Sequence, residues 1–391
     1  MSFNVRGQST NRYPDGRRVY YGGFDPGSGY STLFVVPTDE PDALQSCIIP
    51  SWVSSGTLED VRKRSGLLNV DASELLDDSE FVIGIDGKEY YAGKLGQQAG
   101  QNRTNALNDP RRYSNEHAMA LLFALCGLLI PEDRFTLRFV TGLPVSLYKD
   151  DENRYQVQDT FTRAFQFSWN GQAKNGNFVC GTVVPEGAGG LLVYGDTSSL
   201  TLLIDYGYRT TDVLSARGQK VDFECSDGFD IGVGQIVDAF NDDFVKVKVD
   251  GKTRGRRLDD EEADVLLRAY VHGEVLPAVK VNRKPVDPDQ LHPILDRVYD
   301  RIGTQSNTRI AQIVNKDDSA IGSAYARVLL VGGGSPHFRV KLEQMIPNIE
   351  IVEQAQLANP EGYLEIAQSF REETWQRVLK DVEERKAHQY A

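Results

Sequence analysis

The chain lacks the cysteine and histidine patterns that mark disulfide scaffolds and zinc sites. Its four cysteines are spread along 391 residues, and no two of them form a CxxC pair. The five histidines are scattered as well, so no group has the spacing of zinc ligands. We therefore expect buried thiols in a reducing compartment and no zinc site.

The chain also lacks a long hydrophobic run and an excess of positive charge. Its longest apolar stretch, residues 118–130, is shorter than the roughly 20 residues that span a bilayer, and it predicts a buried helix capped by Ser114 or Asn115. The polar, arginine-containing start has no secretory signal pattern. A formal net charge of −13 argues against strong direct binding to nucleic acid or anionic lipid. We expect a cytoplasmic protein without a membrane span, and any DNA role requires an adaptor or a local basic patch.

The length and composition are those of two globular lobes. At 391 residues, with 40% hydrophobic and 25% charged residues, the chain is too long for one typical domain and ordinary for a soluble protein. Apolar runs alternate with stretches of helical spacing, and a glycine-rich acidic turn occurs in each half. This alternation predicts an α/β fold built from two related lobes.

Each of the two turns begins with an aspartate at the end of an apolar run. The first, "DPGSGYST", starts at Asp25, and the second, "DYGYRTTD", starts at Asp205. The glycines permit backbone angles that other residues avoid. The N–H and hydroxyl groups of such turns form concavities that bind phosphate oxygens. Either turn alone is equally consistent with a plain surface hairpin. Two such turns facing each other would clamp a polyphosphate, and their carboxylates would hold Mg²⁺ through its waters.

Two further glycine-rich stretches follow in the second half. "LLVGGGSPHF", residues 329–338, places three glycines directly after a strand, where a flat nucleoside would lie against bare backbone. Close packing or a tight turn is the alternative for this motif. "GFDIGVGQ", residues 228–235, suggests a glycine-rich entry to a helix near a ribose or phosphate.

The order of these motifs resembles the actin-like ATPases, and most of all the plasmid-segregation branch typified by ParM. The resemblance runs from about residue 25 to about residue 362. It is carried by the two acidic turns, the triple glycine, "TGLPV" at 141–145 and "LANPEGYLEIA" at 357–367. It implies the two-lobed actin/sugar-kinase/heat-shock ATPase fold, with ATP or GTP and Mg²⁺ in a cleft between the lobes.

The same resemblance implies lobe boundaries and site residues. The first lobe comprises residues 1–197 and 359–391, with a smaller inserted subdomain over 38–112; the second comprises 198–358, with a smaller subdomain over 235–305. Asp25 and Asp205 are the implied Mg²⁺ positions. The implied nucleotide-binding residues are Asp25, Gly27, Ser28, Gly29, Tyr30, Ser31, Gly207, Tyr208, Arg209, Thr210, Gly232, Gly332, Gly333, Gly334 and Ser335.

The resemblance also implies catalytic residues. "VVPEGAGG" looks like the place where ParM-type proteins carry a glutamate that orients the attacking water, so Glu186 takes that role and Asp205 is its partner near the metal. A solvated acid after a proline is the alternative interpretation of Glu186. Thr32 stands where many actin-like proteins have a lysine that reaches the phosphates, and Arg209 is either its substitute or a surface residue.

The implied function is a Mg-dependent ATPase that forms head-to-tail filaments and moves or segregates plasmid DNA through an adaptor protein. A non-polymerising ATP-binding scaffold of the same fold is the main alternative. A small-molecule kinase is the other, and it is less favoured because no additional carboxylate stands out as a base for a substrate hydroxyl.

Overall fold

A computed structural model describes residues 16–66, 70–105, 113–249, 253–316 and 318–389. Their contacts divide the chain into two compact units. The first takes its described residues from Met1–Leu143, Leu147–Pro185 and Asn359–Ala391, and the second from Pro144–Ser146 and Glu186–Ala358. Each unit has its own sheet and its own core.

The described residues up to Pro185 form ten strands and five α-helices. The strands are β1 (Arg18–Asp25), β2 (Tyr30–Pro37), β3 (Gln45–Pro50), β4 (Trp52–Ser55), β5 (Glu80–Ile85), β6 (Lys88–Gly93), β7 (Gln101–Asn105), β8 (Arg134–Leu143), β9 (Arg163–Trp169) and β10 (Gln172–Pro185). The helices are α1 (Leu58–Ser65), α2 (Lys94–Gln98), α3 (Glu116–Leu129), α4 (Val145–Tyr148) and α5 (Asp151–Phe161).

These ten strands form one sheet in the order β3-β2-β1-β8-β10-β9-β5-β6-β4-β7. The β1–β2–β3 meander is antiparallel, whereas β1, β8 and β10 run parallel. Strand β8 is almost entirely buried, as expected for a near-continuous apolar run in a covered parallel sheet. Helix α3 covers part of the sheet, and the prediction of a buried helix capped by Ser114 or Asn115 is confirmed. The cap is Asn115, whose Oδ1 accepts bonds from two backbone N–H groups of the first turn.

From Glu186 onward, the part of the chain that the structure describes forms nine strands and eight α-helices. The strands are β11 (Leu200–Tyr206), β12 (Thr211–Arg217), β13 (Lys220–Phe229), β14 (Lys248–Val249), β15 (Thr253–Arg254), β16 (Lys280–Val281), β17 (Lys284–Pro285), β18 (Arg327–Val331) and β19 (Ile349–Ile351). The helices are α6 (Ala188–Tyr194), α7 (Val233–Phe244), α8 (Asp260–Val271), α9 (Pro288–Ile313), α10 (Asp318–Ala324), α11 (Ser335–Met345), α12 (Ala358–Ser369) and α13 (Glu372–Gln389).

The five-stranded sheet of the second unit has the same strand order and directions as five strands of the first unit's sheet. Its order is β13-β12-β11-β18-β19, with an antiparallel meander β11–β12–β13 and parallel pairing of β11, β18 and β19. The first unit has the same order and directions in β3-β2-β1-β8-β10. The predicted α/β class with two related halves is therefore confirmed.

The observed division differs from the predicted boundary after residue 197. The chain passes to the second unit between Pro185 and Glu186, because α6 packs on the second sheet. Gly190 lies against side chains of Leu203, Val331 and Ala358. The segment 38–112, expected to form an inserted subdomain, contributes to both ends of the first sheet. Strand β3 completes the antiparallel meander at one end, and β4–β7 extend the sheet at the other. Residues 67–69 and 106–112 of this segment lie outside the described residues.

The C-terminal helices belong to the first unit because β8 anchors them. Arg138 is almost completely buried, and its two terminal nitrogens each donate to a Glu372 carboxylate oxygen at 2.7 Å. Its guanidinium also lies 5.6 Å from the centre of the fully buried Trp375 ring. A bidentate ion pair backed by an aromatic ring fixes α13 more firmly than either contact would alone.

Candidate functional site

The first acidic turn is a tight hairpin between β1 and β2. Asp25 is opposite Thr32 in the ladder, and residues 26–29 form the turn. Its shape is held from outside the hairpin by Ser51, whose hydroxyl donates to the Gly27 carbonyl at 2.5 Å and whose N–H donates to the Gly29 carbonyl at 3.0 Å. These bonds fix two carbonyls, so the N–H groups of the turn are held in a defined orientation.

The side chains of this turn differ in accessibility. Ser28 and Ser31 are buried, and the Ser31 hydroxyl lies 2.8 Å from that of Ser51. Tyr30 is 40% exposed, and Asp25 is partly exposed. The sequence motif did not reveal Ser51, because it comes from the β3–β4 junction rather than from the hairpin itself.

The second acidic turn repeats the first in register. Asp205 is opposite Asp212, and residues 207–210 form the turn, which the Gly207 N–H closes by donating to the Thr210 carbonyl at 2.9 Å. Asp25 and Asp205 thus occupy equivalent ladder positions in the two units. Thr32, where a lysine was expected, is the counterpart of Asp212.

Three segments converge on the second turn through backbone hydrogen bonds. The Val233 and Gly234 N–H groups at the start of α7 donate to the carbonyls of residues 207 and 208, at 3.3 and 2.7 Å. The Gly334 N–H donates to the Tyr206 carbonyl at 2.7 Å. The structure therefore brings together, within the second unit, the turn, the glycine-rich entry of α7 and the triple glycine.

The first glycine of the triple is required by geometry. Gly332 has a φ of +88°, and a Cβ built on it would lie 2.1 Å from Asp205 Oδ1 and 2.4 Å from the Tyr206 carbonyl oxygen. Gly333 has room, since its nearest neighbour would be the Gln356 side chain at 3.4 Å. Gly332 is thus needed to let β18 end beside the Asp205 carboxylate, while Gly333 leaves an uncovered stretch of backbone.

The remaining predicted residues of this unit have mixed roles. Ser335 is buried and its hydroxyl donates to the Val331 carbonyl, so it closes the first turn of α11. The Tyr208 ring lies against the entry of α7 next to Gly234. Arg209 and Thr210 are partly exposed at the turn.

Asp212 forms a carboxyl pair with Glu186 that sequence reasoning missed. Asp212 is 1% exposed, and its Oδ1 accepts the Val145 N–H at 2.6 Å. Burial raises the pKa of Asp212 well above its ordinary value, and the charge of Glu186, a hydrogen bond with Glu186 and the charge of Asp205 act in the same direction. A carboxyl kept protonated in this way donates a hydrogen bond to Glu186 and holds it in place. Asp212 lies directly opposite Asp205 in the hairpin ladder, and that pairing was the signal that could have identified Asp212.

The raised pKa of Asp212 predicts a pH-dependent loss of stability. The folded protein keeps a proton that the unfolded chain releases, so the free energy of unfolding should fall as pH rises from the ordinary carboxyl range to the raised pKa. Each unit of that shift corresponds to about 1.4 kcal/mol. In Asp212→Asn this slope should disappear, because asparagine keeps an oxygen for the Val145 N–H and carries no titratable proton.

Urea unfolding at several pH values between about 5 and 8 measures the slope. Glu353→Gln, which changes an exposed acid of the same unit, serves as the control and should keep the wild-type slope. Identical slopes in wild type and Asp212→Asn would show that Asp212 is not protonated in the folded protein.

The donor groups around Asp205 decide which kind of metal ion the second turn suits. The described residues contain no cluster of three or more His, Cys, Asp or Glu side chains arranged to hold a metal ion directly. Asp205 is a single, largely buried carboxylate at a strand end, beside a close approach that only glycine permits. One carboxylate beside turn N–H groups suits an ion that keeps most of its waters and takes its other ligands from phosphates. The residues therefore fit a Mg–polyphosphate, and the Mg²⁺ assignment stays a prediction.

Comparisons with known proteins agree with this architecture. Residues 23–189 match the family model of the actin-like proteins N-terminal domain. No curated protein sequence matches the chain.

None of the described helices is long and apolar enough to cross a bilayer.

Several solved structures have the same fold. Ta0583, an archaeal actin homologue, is 20% identical with a TM-score of 0.66 over 90% of this chain and 99% of its own. A subunit of a 15-stranded ParM filament from Clostridium botulinum gives the same identity, TM-score and coverage. Ta0583 in complex with ADP matches with a TM-score of 0.62, again at 20% identity, over 90% and 99% of the two chains.

Proposed function

Because the chain has an actin-like fold and an actin-like N-terminal domain, we propose that it is a nucleotide-dependent, filament-forming ATPase. The observation that carries the proposal is the convergence of the second acidic turn, the entry of α7 and the triple glycine around Asp205. Such a set offers backbone donors for phosphate, a carboxylate for a hydrated cation and bare backbone for a nucleoside.

Each unit contributes an acidic hairpin to phosphate binding in this proposal. The turn N–H groups around Gly27–Gly29 and Gly207–Thr210 bind phosphate oxygens, and Asp25 and Asp205 hold waters of a bound Mg²⁺. The ion, when present, neutralises charge on the phosphates. Gly332–Gly334 face the nucleoside, and Gly232 lies at the adjoining entry of α7.

Glu186 is proposed to position the attacking water. Hydrolysis of a γ-phosphate needs a correctly placed water more than a strong base. The carboxyl pair supports this role, since a protonated Asp212 would bind one oxygen of Glu186 and leave the other for water. Asp205 begins the acidic turn that Asp212 ends, and it would act as the partner of Glu186 near the metal.

Replacing Asp205 tests the phosphate and metal assignment. Asp205→Asn keeps the size of the side chain and removes its charge, so affinity for Mg–ATP should fall by about tenfold, and the fall should be smaller for nucleotide measured with EDTA. Isothermal titration calorimetry measures both affinities. Asp289→Asn, an exposed acid of the same unit outside the glycine-rich stretches, provides the control. Unchanged affinity for Mg–ATP in Asp205→Asn would contradict the assignment.

Assembly is tested on the purified protein. Light scattering and negative-stain microscopy with ATP, GTP, ADP and no nucleotide should show filaments that depend on nucleotide, with phosphate release following assembly. Head-to-tail contacts do not close, so open filaments are the expected product. Tight nucleotide binding with no filaments in any nucleotide or salt would instead identify a non-polymerising scaffold.

We further propose that such filaments act in the cytoplasm and move or segregate DNA through an adaptor. The chain is similar to ParM proteins that form filaments, and the net charge of −13 favours an indirect link to DNA. Capture of a DNA-bound adaptor by nucleotide-loaded filaments would support this cargo.

A further inference from the structure

An unusually basic surface is present in this acidic protein. Residues 246–257 and 280–284 contain nine Lys or Arg and one Asp, a net charge of +8 that leaves −21 for the remaining residues. The described residues of these ranges include the antiparallel strand pairs β14–β15 and β16–β17. The Arg256 Nε donates to the Lys280 carbonyl at 3.0 Å and ties one hairpin to the other. We call this surface the basic hairpin pair.

Part of the basic hairpin pair is paired with acids of the same chain, Arg256 with Glu262, Arg257 with Asp238 and Asp242, and Lys246 with Asp243. Lys248, Arg254, Lys280 and Arg283 are exposed, and none has a carboxylate within 4 Å among the described residues. Lys248 and Arg254 are also directly opposite each other in the β14–β15 ladder. Like charges in that position destabilise a hairpin, and an anionic surface lying against it would relieve the repulsion.

A second unusual surface lies on edge strand β13. A single residue of β12, Leu214, is opposed by the four residues 223–226 of β13, which form a large bulge. The bulge exposes Phe223 to 41% and lies between the acids Asp222 and Asp227, with Glu224 at its centre. Bulges and charges on an edge strand prevent indiscriminate strand pairing, while an exposed aromatic residue provides an anchor for a specific contact. We call this surface the acidic bulge.

The two surfaces lie at opposite ends of one helix. Two residues, 286 and 287, separate β17 from α9, so the basic hairpin pair adjoins the helix start. At the other end, α9 contacts β13, and Lys316, just past the helix end, acts on the thiol of Cys225 in the acidic bulge: burial raises the pKa of Cys225, and the Lys316 charge acts against that rise. The helix has 26 residues and is therefore about 39 Å long. Surfaces so far apart on one rigid element cannot meet within the same molecule.

We propose that the basic hairpin pair of one copy binds the acidic bulge of the next copy. Opposite charges at the two ends of a rigid element give a heterologous contact, and such a contact propagates without closing. Val275, 94% exposed in the loop that leads into β16, adds an apolar group at the basic end, as Phe223 does at the acidic end. This contact rests on the proposed assembly and names the surfaces that form it.

The contact should be weakened by salt. The pairs are exposed, so their attraction is screened once the Debye length falls below about 10 Å, near 0.1 M salt. We expect the critical concentration for assembly to rise with salt, while nucleotide affinity changes much less.

A charge-swap experiment tests the contact. Variant one, Lys280→Glu/Arg283→Glu, makes the hairpin pair acidic; variant two, Asp222→Lys/Glu224→Lys, makes the bulge basic. Each variant alone should raise the critical concentration about tenfold or more, because like charges then meet. An equimolar mixture should assemble near the wild-type concentration, since every contact between the two variants is again between opposite charges.

The controls separate this contact from folding and from the proposed function. Arg297→Glu/Arg309→Glu makes the same charge change on exposed positions along α9 and should assemble as wild type does. Nucleotide binding by each variant confirms its fold. If wild type itself does not assemble with any nucleotide, the proposed function fails and so does the contact that depends on it.

Two further results would overturn the contact while leaving the proposed function intact. One is wild-type assembly by variant one. The other is failure of the mixed variants to assemble while wild type does. Fluorescence anisotropy with duplex DNA is run in parallel: DNA binding by wild type that variant one loses, with assembly unchanged, would assign the basic hairpin pair to nucleic acid instead.

Discussion

Gly332→Ala should lower the free energy of unfolding by about 3 kcal/mol or more and abolish measurable Mg–nucleotide binding at ordinary concentrations. A left-handed backbone costs a non-glycine residue about 1 kcal/mol or more. The added Cβ would also lie 2.1 Å from Asp205 Oδ1 and 2.4 Å from the Tyr206 carbonyl oxygen, so both the carboxylate and the strand end must move. The effect therefore combines destabilisation with displacement of a proposed phosphate and metal group.

Gly333→Ala is the matched control for this prediction. The two glycines are adjacent, but a Cβ at 333 meets nothing closer than 3.4 Å. Its stability should stay within about 1 kcal/mol of wild type. If the triple glycine faces a nucleoside, Gly333→Ala should nevertheless weaken nucleotide binding. Urea unfolding and calorimetry distinguish the two effects, and equal stability of the two variants would show that the conformation at Gly332 is not needed.

Glu186→Gln should slow phosphate release by about 100-fold while nucleotide affinity and assembly stay near wild type. Glutamine keeps the hydrogen bond to Asp212 but is a weaker acceptor for the attacking water, and a positioned acceptor contributes about 10²–10⁴-fold to such reactions. Filaments of this variant should persist longer than wild-type filaments formed with the same amount of nucleotide, since hydrolysis is the step proposed to destabilise them.

Single-turnover phosphate release and filament lifetime are the two measurements for Glu186. Glu353→Gln, at an exposed position, is the control and should hydrolyse as wild type does. Loss of nucleotide binding in Glu186→Gln would assign this residue to binding or folding. Unchanged hydrolysis would leave it as the solvated acid that the proline before it also permits.

The fold could be predicted from sequence largely because its strongest signals are local. The apolar run of α3 and its Asn115 cap depend on neighbouring residues only, and the structure has both. The two acidic turns were predicted as hairpins from glycines and flanking apolar runs, and both are hairpins. Where the units divide was harder to predict, because it depends on which sheet α6 packs against, and that contact is with residues distant in sequence such as Leu203.

The candidate site was predicted only in part for the same reason. Asp205 and Gly332 belong to recognisable motifs, and the structure places them together. Ser51 lies in no motif, and Asp212, the last residue of the second acidic turn, was given no role there. They act through long-range contacts, to the Gly27 carbonyl in one case and to Val145 and Glu186 in the other.

The sequence by itself determined the two acidic turns, the triple glycine and their order, because glycine spacing and apolar runs specify local backbone shape. The tertiary structure decided which groups meet. It set Asp205 opposite Asp212, buried Asp212 against Glu186, and placed the basic hairpin pair and the acidic bulge at opposite ends of α9. Burial and register depend on residues far apart along the chain, so no local pattern records them.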